Sequence, residues 1–481
     1  DANVVVLDAA GTSLGTANVQ GGSNAFLVKP AGLCVQVTES GNGCASGNAS
    51  CSVFKAAGTV FNLEVSGRAW VSNSETDTEY CNNTITKNFV HSGIALSSNL
   101  VAPSSGANAA LSVAATATDA TGTVSQPINV NEVGVFTFTA TPPAYFAEAI
   151  TASTSANVGR FVPAYFELGG GSVTAANTSA ASFTYLGQAV LLNYSLTAKS
   201  ALTPTTTTEN YEGSFAKLNL DNVSNNLAGV SAAASAQDVA YGMVQSTSLA
   251  SYNARVVATG PGAATAWNDG VINVIGLPLT VQRGSSLEGP IANIDVGVLV
   301  MDSDSVTFPL LNLNTSGFGG SDTLTLAPLP GNLYYGRAFI PPAYGPEIPA
   351  GSSLEMPFFV QYFNGDRFVT NTDDSSSAYN LWTASCADAD VNDGLLCNEA
   401  SVSMPGANFM GGKNDPISPM TIARPGLNNT GSLNITVAVD DWLKFDWDNT
   451  SSGDENPVSL VTFGTYRGND RIIYWGERHS P

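Results

Sequence analysis

The sequence predicts an all-β protein made of tandem, Ig-like β-sandwich domains, and three observations carry that expectation. Charged residues are 12% of the 481, about half the usual share, so the chain lacks the Glu, Lys and Arg that long helices carry at their surfaces. Apolar residues alternate with small or polar ones at Leu433, Ile435, Val437 and Val439, at Phe61, Leu63 and Val65, and at Phe136, Phe138 and Ala140. Period-two alternation places one strand face on a core and the other in water. Runs rich in Thr and Val are punctuated by Gly, Asn and Pro, which favours short strands and tight turns.

The length suggests two to four domains, and composition breaks mark them. Residues 1–30 read as an N-terminal β segment, 31–168 as a first sandwich, 169–284 as a second, and 285–481 as a larger C-terminal β domain with acidic loops. Val158-Gly159-Arg160-Phe161-Val162-Pro163 closes the first unit, a Gly- and Ser-rich stretch at 169–182 follows, and Arg283-Gly284-Ser285-Ser286 is the second break. The second sandwich weakly repeats the first. Ala57 to Leu63 matches Leu186 to Leu192, and Asn88-Phe89 followed by Gly93 to Leu96 matches Asn210-Tyr211 followed by Ser214 to Leu218. The Ala-rich stretch 231–245 is weighed as a short helix and disfavoured, because Gly and Ser flank it and its apolar face is thin. Val4, Val5, Val6 and Leu7 form a strongly β-prone run, able to complete the chain's own first sheet or to add to a neighbour's exposed edge.

The balance of 17 basic against 39 acidic residues gives a net charge of −22. Such a surface repels nucleic acid and anionic lipid and attracts divalent cations. The six cysteines fall in two clusters, Cys34, Cys44, Cys51 and Cys81, then Cys386 and Cys397, which fits disulfides formed in an oxidising compartment. Cys386 and Cys397 are expected to bridge one loop, while the first four allow three connectivities. No C-x-x-C pair is present, and no apolar run is long enough to span a bilayer. No signal peptide begins at Asp1, which reads as a processed or trimmed start.

Longer motifs resemble a known family. They are Phe26-Leu27-Val28-Lys29-Pro30 before Cys34, Cys44-Ala45-Ser46-Gly47, Tyr362-Phe363-Asn364-Gly365 leading to Phe368-Val369-Thr370-Asn371-Thr372-Asp373-Asp374-Ser375, and Trp442-Leu443-Lys444-Phe445-Asp446-Trp447. The last motif runs from Phe463-Gly464-Thr465-Tyr466-Arg467-Gly468-Asn469-Asp470 to Trp475. Together they resemble the MshQ-like family, large β-rich proteins associated with the mannose-sensitive haemagglutinin (MSHA) type IV pilus of Gram-negative bacteria. The resemblance implies an extracellular, cell-surface or pilus-associated protein and no defined biochemical activity. It also implies a cysteine just after Asp374-Ser375, where this chain has Ser376 and Ser377, and relatives longer at the N-terminus.

The sharpest chemical motif is Asp388, Asp390, Asn392 and Gly394, with Glu399 eleven residues after Asp388. Oxygen donors at positions one, three, five and twelve suit calcium, although Asp393 holds the place of the usual turn glycine. A looser candidate is Asp446, Asp448, Asp454 and Asn456. Asp302 and Asp304 read as a strand-end turn. Of the two histidines, His91 and His479, a Ser-His-Asp triad could be built only around His91, in a polar hairpin-like stretch. No enzyme is therefore expected, and no cofactor is required beyond a candidate structural calcium. Trp70, Trp267, Trp382, Trp442, Trp447 and Trp475, with Tyr334-Tyr335 and Tyr362-Phe363, read as core and corner packing ahead of sugar platforms. The expected function is an extracellular structural component of a bacterial surface filament or pilus tip. It would support attachment through contacts with other surface or pilus proteins, or with copies of itself as a polymer. The alternative is a calcium-dependent adhesin with a glycan receptor.

Overall fold

The computed structural model describes residues 2–19, 27–179, 181–224, 238–245, 255–261, 265–314, 323–390, 392–447 and 453–464. Among these residues there is no α-helix; strands alternate with turns and brief 3-10 turns such as Glu79–Asn82. None of them forms a helix long and apolar enough to cross a membrane. The chain divides into two compact units, Asp1–Val162 and Pro163–Pro481.

In the first unit a three-stranded sheet of Gly32–Val37, Phe61–Arg68 and Thr123–Ile128 faces a larger one. The larger sheet runs Lys55–Ala56, Val158–Val162, Gly134–Thr141, His91–Ala102 and Ala115–Thr118. Leu33, Val35, Leu63 and Val65 from one sheet meet Ile94, Phe136, Phe138 and Phe161 from the other in a single buried cluster. That is a β-sandwich with alternating inward side chains. The period-two residues of the sequence thus lie where alternation put them, since Phe61, Leu63, Val65, Phe136, Phe138 and Ala140 are all buried. Phe61 packs against Phe138 and Phe161 at ring-centroid distances of 5.5 Å.

Ala2–Leu7 forms a hairpin with Ser13–Val19, a two-stranded sheet that joins no other among the described residues. The expected assembly segment therefore takes its partner from its own chain, with Val4, Val5, Val6 and Leu7 opposite Ala17, Thr16, Gly15 and Ser13. Local turn chemistry is the reason. Asp8 Oδ1 accepts from the Ala10 and Thr12 N–H groups at 2.8 and 2.9 Å and folds the chain back at once.

The second unit holds two sandwiches. The first packs a sheet of Tyr165–Thr174, Ala189–Lys199, Val271–Val281 and Val256–Ala258 on one of Val223–Ser224, Val239–Gln245, Ile294–Val300 and Leu324–Pro328. The Tyr194 and Tyr241 hydroxyls meet at 2.6 Å in its buried middle. This arrangement moves the boundary expected at 284. Ile294–Val300 pairs along its whole length with Val239–Gln245, so a cut at 284 would split one sheet. Likewise Tyr165–Thr174 runs through the boundary expected at 168. Of the disfavoured helix, 239–245 is strand, and 231–237 lie outside the described residues. The second half of the proposed repeat diverges, because Ile94 and Leu96 sit in a strand whereas Gly213–Phe215 is a 3-10 turn.

The C-terminal sandwich is built from three sheets. These are Gly336–Phe339, Phe359–Phe363 and Phe368–Thr370; Ala343–Gly345, Val458–Phe463, Gly431–Ala438 and Thr383–Asp388; and Ser353–Met356, Met420–Ala423 and Val402–Ser403. Ala338, Val360, Met356, Ile422, Leu433, Ile435, Val437 and Val461 share its core. Phe183 and Tyr185 also lie in this core. Their strand Phe183–Tyr185 pairs in parallel with Asn332–Tyr334 and couples the two sandwiches of the unit.

Candidate functional site

Three disulfides fix the loops. Cys34 joins Cys81, Cys44 joins Cys51 and Cys386 joins Cys397. The first two select one of the three connectivities left open by the sequence. All six cysteines are paired.

The acidic motif lies across the third bridge, and its carboxylates do not converge. Asp388 Oδ1 accepts from the Cys397 N–H at 2.8 Å, Asp390 Oδ1 from Asn392 N–H at 2.9 Å, and Glu399 Oε2 from Leu396 N–H at 2.8 Å. Gly394 occupies the left-handed region with φ +89°, the conformation its turn needs. Asp393, which stood in the glycine's expected place, bonds Leu395 N–H and reaches over to Ser432 N–H at 2.7 Å. Each acid thus satisfies a different main-chain donor in a tight loop. Among the described residues no three His, Cys, Asp or Glu side chains gather as a metal site would require. Calcium is accordingly expected to leave thermal unfolding unchanged. A site filled to 100 times its Kd would add about 2.7 kcal/mol, so a calcium-dependent rise in Tm, reversed by EGTA, would overturn this reading.

The second acidic set is also dispersed. Asp454 Oδ2 accepts from Arg283 Nη1 at 2.7 Å, and Asn456 Oδ1 accepts from Val439 N–H at 3.1 Å. Asp448 lies outside the described residues. Arg283, placed by the sequence at a domain break, is instead a clamp. Its guanidinium also donates to the carbonyls of Gly336 at 2.7 Å, Lys444 at 2.5 Å and Trp442, and stands 4.6 Å from the Tyr335 ring centroid. One planar fork serves several acceptors here because guanidinium donors are fixed in that geometry. Gly336 admits the neighbouring chain: a Cβ there would lie 2.4 Å from the Tyr185 ring.

Two buried tyrosine–carboxylate pairs were not legible as partners. Tyr185 donates to Asp374 Oδ2 at 3.0 Å and accepts from Asn371 Nδ2 at 2.8 Å, with Tyr185, Asp374 and Asn371 fully buried. Asp374 Oδ1 further holds Ser377 N–H at 2.9 Å. Ser376 and Ser377, standing where a cysteine was expected, both donate to Asn177 Oδ1, at 2.9 and 3.0 Å. They tie the same two sandwiches together by hydrogen bonds.

In the other pair, Tyr211 donates to Asp302 Oδ2 at 2.8 Å and accepts from the Lys217 and Leu218 N–H groups. Asp302 Oδ1 closes the turn on Asp304 and Val306 N–H, both at 2.9 Å, so the strand-end turn expected from sequence is buried and specific. Burial pushes the Asp302 carboxyl from 3.8 up to about 6. Between about pH 4 and 6 the native state then holds a proton that the unfolded state has lost. Stability from this group falls as pH rises through that window, by roughly 3 kcal/mol at most. Urea unfolding of Asp302→Asn beside the parent at pH 4.5 and 7 isolates the effect. The variant should compare more favourably with the parent at pH 7 than at pH 4.5, and an equal difference at both pH values would refute it.

Aromatic residues divide as follows. Trp267 and Trp382 are buried, and Trp442 packs against the C-terminal core. Phe368, Trp447, Phe445 and Phe339 surround Arg337, whose guanidinium lies 3.8, 4.8, 5.1 and 5.6 Å from their centroids. Burial draws Arg337 down to about 10, and its Nε donates to Gln361 Oε1 at 3.0 Å. These rings are taken by the chain's own cation. Trp70 is exposed, and Trp475 lies outside the described residues. His91 Nε2 lies 3.0 Å from the Pro143 carbonyl, which can only accept, so this nitrogen carries the proton.

A multidomain, disulfide-linked β-sandwich protein is the class that this fold and these joints define. The chain belongs to the DUF6701 family, matching its second domain at residues 29–127, its third at 132–327 and its fourth at 334–478. The third-to-fourth division falls beside the strand Asn332–Tyr334, not at 284. No curated protein matches the chain in sequence. Among solved structures it is similar to invasin, a bacterial integrin-binding protein, at 14% identity and TM-score 0.21, covering 85% of this chain and 57% of that one. The chain thus spans little more than half of the invasin structure. It is similar as well to extracellular domains 3–5 of Drosophila OTK (9% identity, 90% and 99% covered, TM-score 0.17). BcpA, the major pilin subunit of Bacillus cereus, is a further case (10% identity, 78% and 94% covered, TM-score 0.14). Likeness at this level does not bear on function.

Proposed function

We propose that the chain is a non-catalytic, extracellular structural protein of a bacterial surface filament or pilus tip, supporting attachment through protein–protein contacts. The observation that carries this reading is the cysteine framework, six residues in three bonds with none free. Such full pairing suits a chain that works outside the reducing cytosol. The bracing of the second unit supports a load-bearing role, since Tyr185, Asn371 and Asp374 lock its sandwiches by buried hydrogen bonds and Arg283 by part-buried ones. The polar, acidic surface, at −22 net charge, favours solubility outside the cell and disfavours nucleic acid.

The test has two parts. Thiol titration of the denatured, unreduced protein should find no free cysteine, and antibody against the chain should label intact bacterial cells or their filaments. Six titratable thiols, or labelling only after lysis, would sink the proposal. Binding to a glycan array that disappears with a chelator would instead favour the calcium-dependent adhesin.

A further inference from the structure

We propose that the first unit carries a binding site for a carboxylated sugar, formed by the cavity between Lys87, Phe89 and Tyr145 and by the exposed ring of Phe146 beside it. This goes beyond the structural role above, and its failure would leave that role untouched.

Backbone conformation first singles out the place. Seven non-glycine residues among those described have positive φ, and five of them are Asn, Asp or Ser, which tolerate that region through local hydrogen bonds. The other two are Phe146 and Ala147, at φ 50° and 69°. They form the middle of a tight turn in which Tyr145 and Glu148 exchange both main-chain hydrogen bonds, at 2.9 and 3.0 Å. Gly and Asn are the residues that such a turn prefers. Here an aromatic side chain occupies it and stands 74% exposed. Asn88, with φ 67°, lies at the same site. The unfavourable backbone of Phe146 and Ala147 beside an exposed ring is the observation that motivates a functional reading of this surface.

The cavity has a volume of about 220 Å³ and is lined by Val28, Pro30, Lys87, Asn88, Phe89 and Tyr145, with Lys29 and Thr86. Drug-sized sites run to about 300–1,000 Å³, so this one takes a single ring. Its aromatic wall is continuous. Phe89 and Tyr145 lie 5.3 Å apart between centroids, and Tyr145 and Phe146 4.8 Å. His91 braces Tyr145 from 5.4 Å, with its own ring tethered to Pro143. Phe89 is buried and closes the floor, while the part-exposed Tyr145 and the exposed Phe146 offer ring faces to a pyranose, and the Asn88 amide can both donate to and accept from hydroxyls.

Charge selects the class of sugar. The chain has 17 basic residues in 481, and two of them, Lys29 and Lys87, line this cavity. Lys29 is committed, donating to the Ala149 carbonyl at 2.6 Å and lying 3.7 Å from Glu148. Lys87 is exposed and supplies the ammonium for a ligand carboxylate. Repulsion from the chain's distant acids is screened beyond about 8 Å at physiological salt. The carboxylated ring thus sits in the cavity, and the next sugar stacks on Phe146.

Calorimetric titration of the full chain with galacturonic acid, glucuronic acid and N-acetylneuraminic acid disaccharides, beside their methyl esters, tests the site. At least one acid should bind, and its ester should bind at least tenfold more weakly. Lys87→Gln and Phe146→Ala should weaken the acid by a similar factor with melting temperature unchanged; Phe146→Gly, which suits the turn's backbone, guards against misfolding. Three outcomes would overturn the proposal: no binding of any acid, equal binding of acid and ester, or binding that the variants leave intact. So would self-association of the parent that Phe146→Ala abolishes, which would make this face a contact between copies of the chain.

Discussion

Replacing both Cys34 and Cys81 by alanine is expected to destabilise the first unit by about 4 kcal/mol, whereas the same change at Cys44 and Cys51 should cost about 2 kcal/mol. The difference follows from chain entropy, because a cross-link restricts the unfolded chain more as the loop it closes lengthens. Cys34 and Cys81 are 47 residues apart, and Cys44 and Cys51 are 7. The longer bridge also ties the turn Glu79–Asn82 to the edge strand Gly32–Val37, where Cys34 is fully buried. Denaturant unfolding of the two double variants against the parent measures the contrast. Equal losses would mean that local packing, not loop closure, sets the contribution of each bond.

Arg283→Ala is expected to cost about 1–3 kcal/mol in the second unit, the range for leaving hydrogen-bond acceptors without their donor, because Asp454 is partly exposed and its ion pair adds little. The substitution leaves the Gly336, Lys444 and Trp442 carbonyls without their donor and strips Asp454 of its counter-charge. Arg283→Lys should recover little, since a point charge cannot serve acceptors spread around a planar fork. Urea unfolding gives the magnitude, and hydrogen exchange should show lost protection in 441–447. Both variants unfolding within about 0.5 kcal/mol of the parent, the range of ordinary surface changes, would show that the clamp is incidental.

Much of the fold was legible because alternation is a local property. Leu433, Ile435 and Val437 announce an inward face whatever their partners are. Pairing over distance was not legible. The break read at Arg283-Gly284-Ser285-Ser286 rested on composition, yet Ile294–Val300 returns to Val239–Gln245 and carries the sandwich on to Leu324–Pro328. Scarcity was the missed signal: one arginine among so few basic residues, set beside Gly and Ser, indicates a specific partner. The acidic motif was ambiguous for the opposite reason. Asp, Asn and Gly at alternating places suit both cation cages and self-bonded turns, and the choice depends on whether main-chain donors reach the carboxylates first. At Asp388, Asp390 and Glu399 they do. Tyr185 offered no signal at all, because its partners Asn371 and Asp374 lie nearly two hundred residues away.

The parallel pairing of Phe183–Tyr185 with Asn332–Tyr334 also bears on the order of folding. The last hydrophobic centre of the chain includes side chains made long before the rest of it. They must wait while an entire intervening module takes shape, and closing such a distant contact is slow. A chain emerging N-terminus first would therefore hold Phe183 and Tyr185 uncovered until its final third arrives, a period in which a chaperone has something definite to shield.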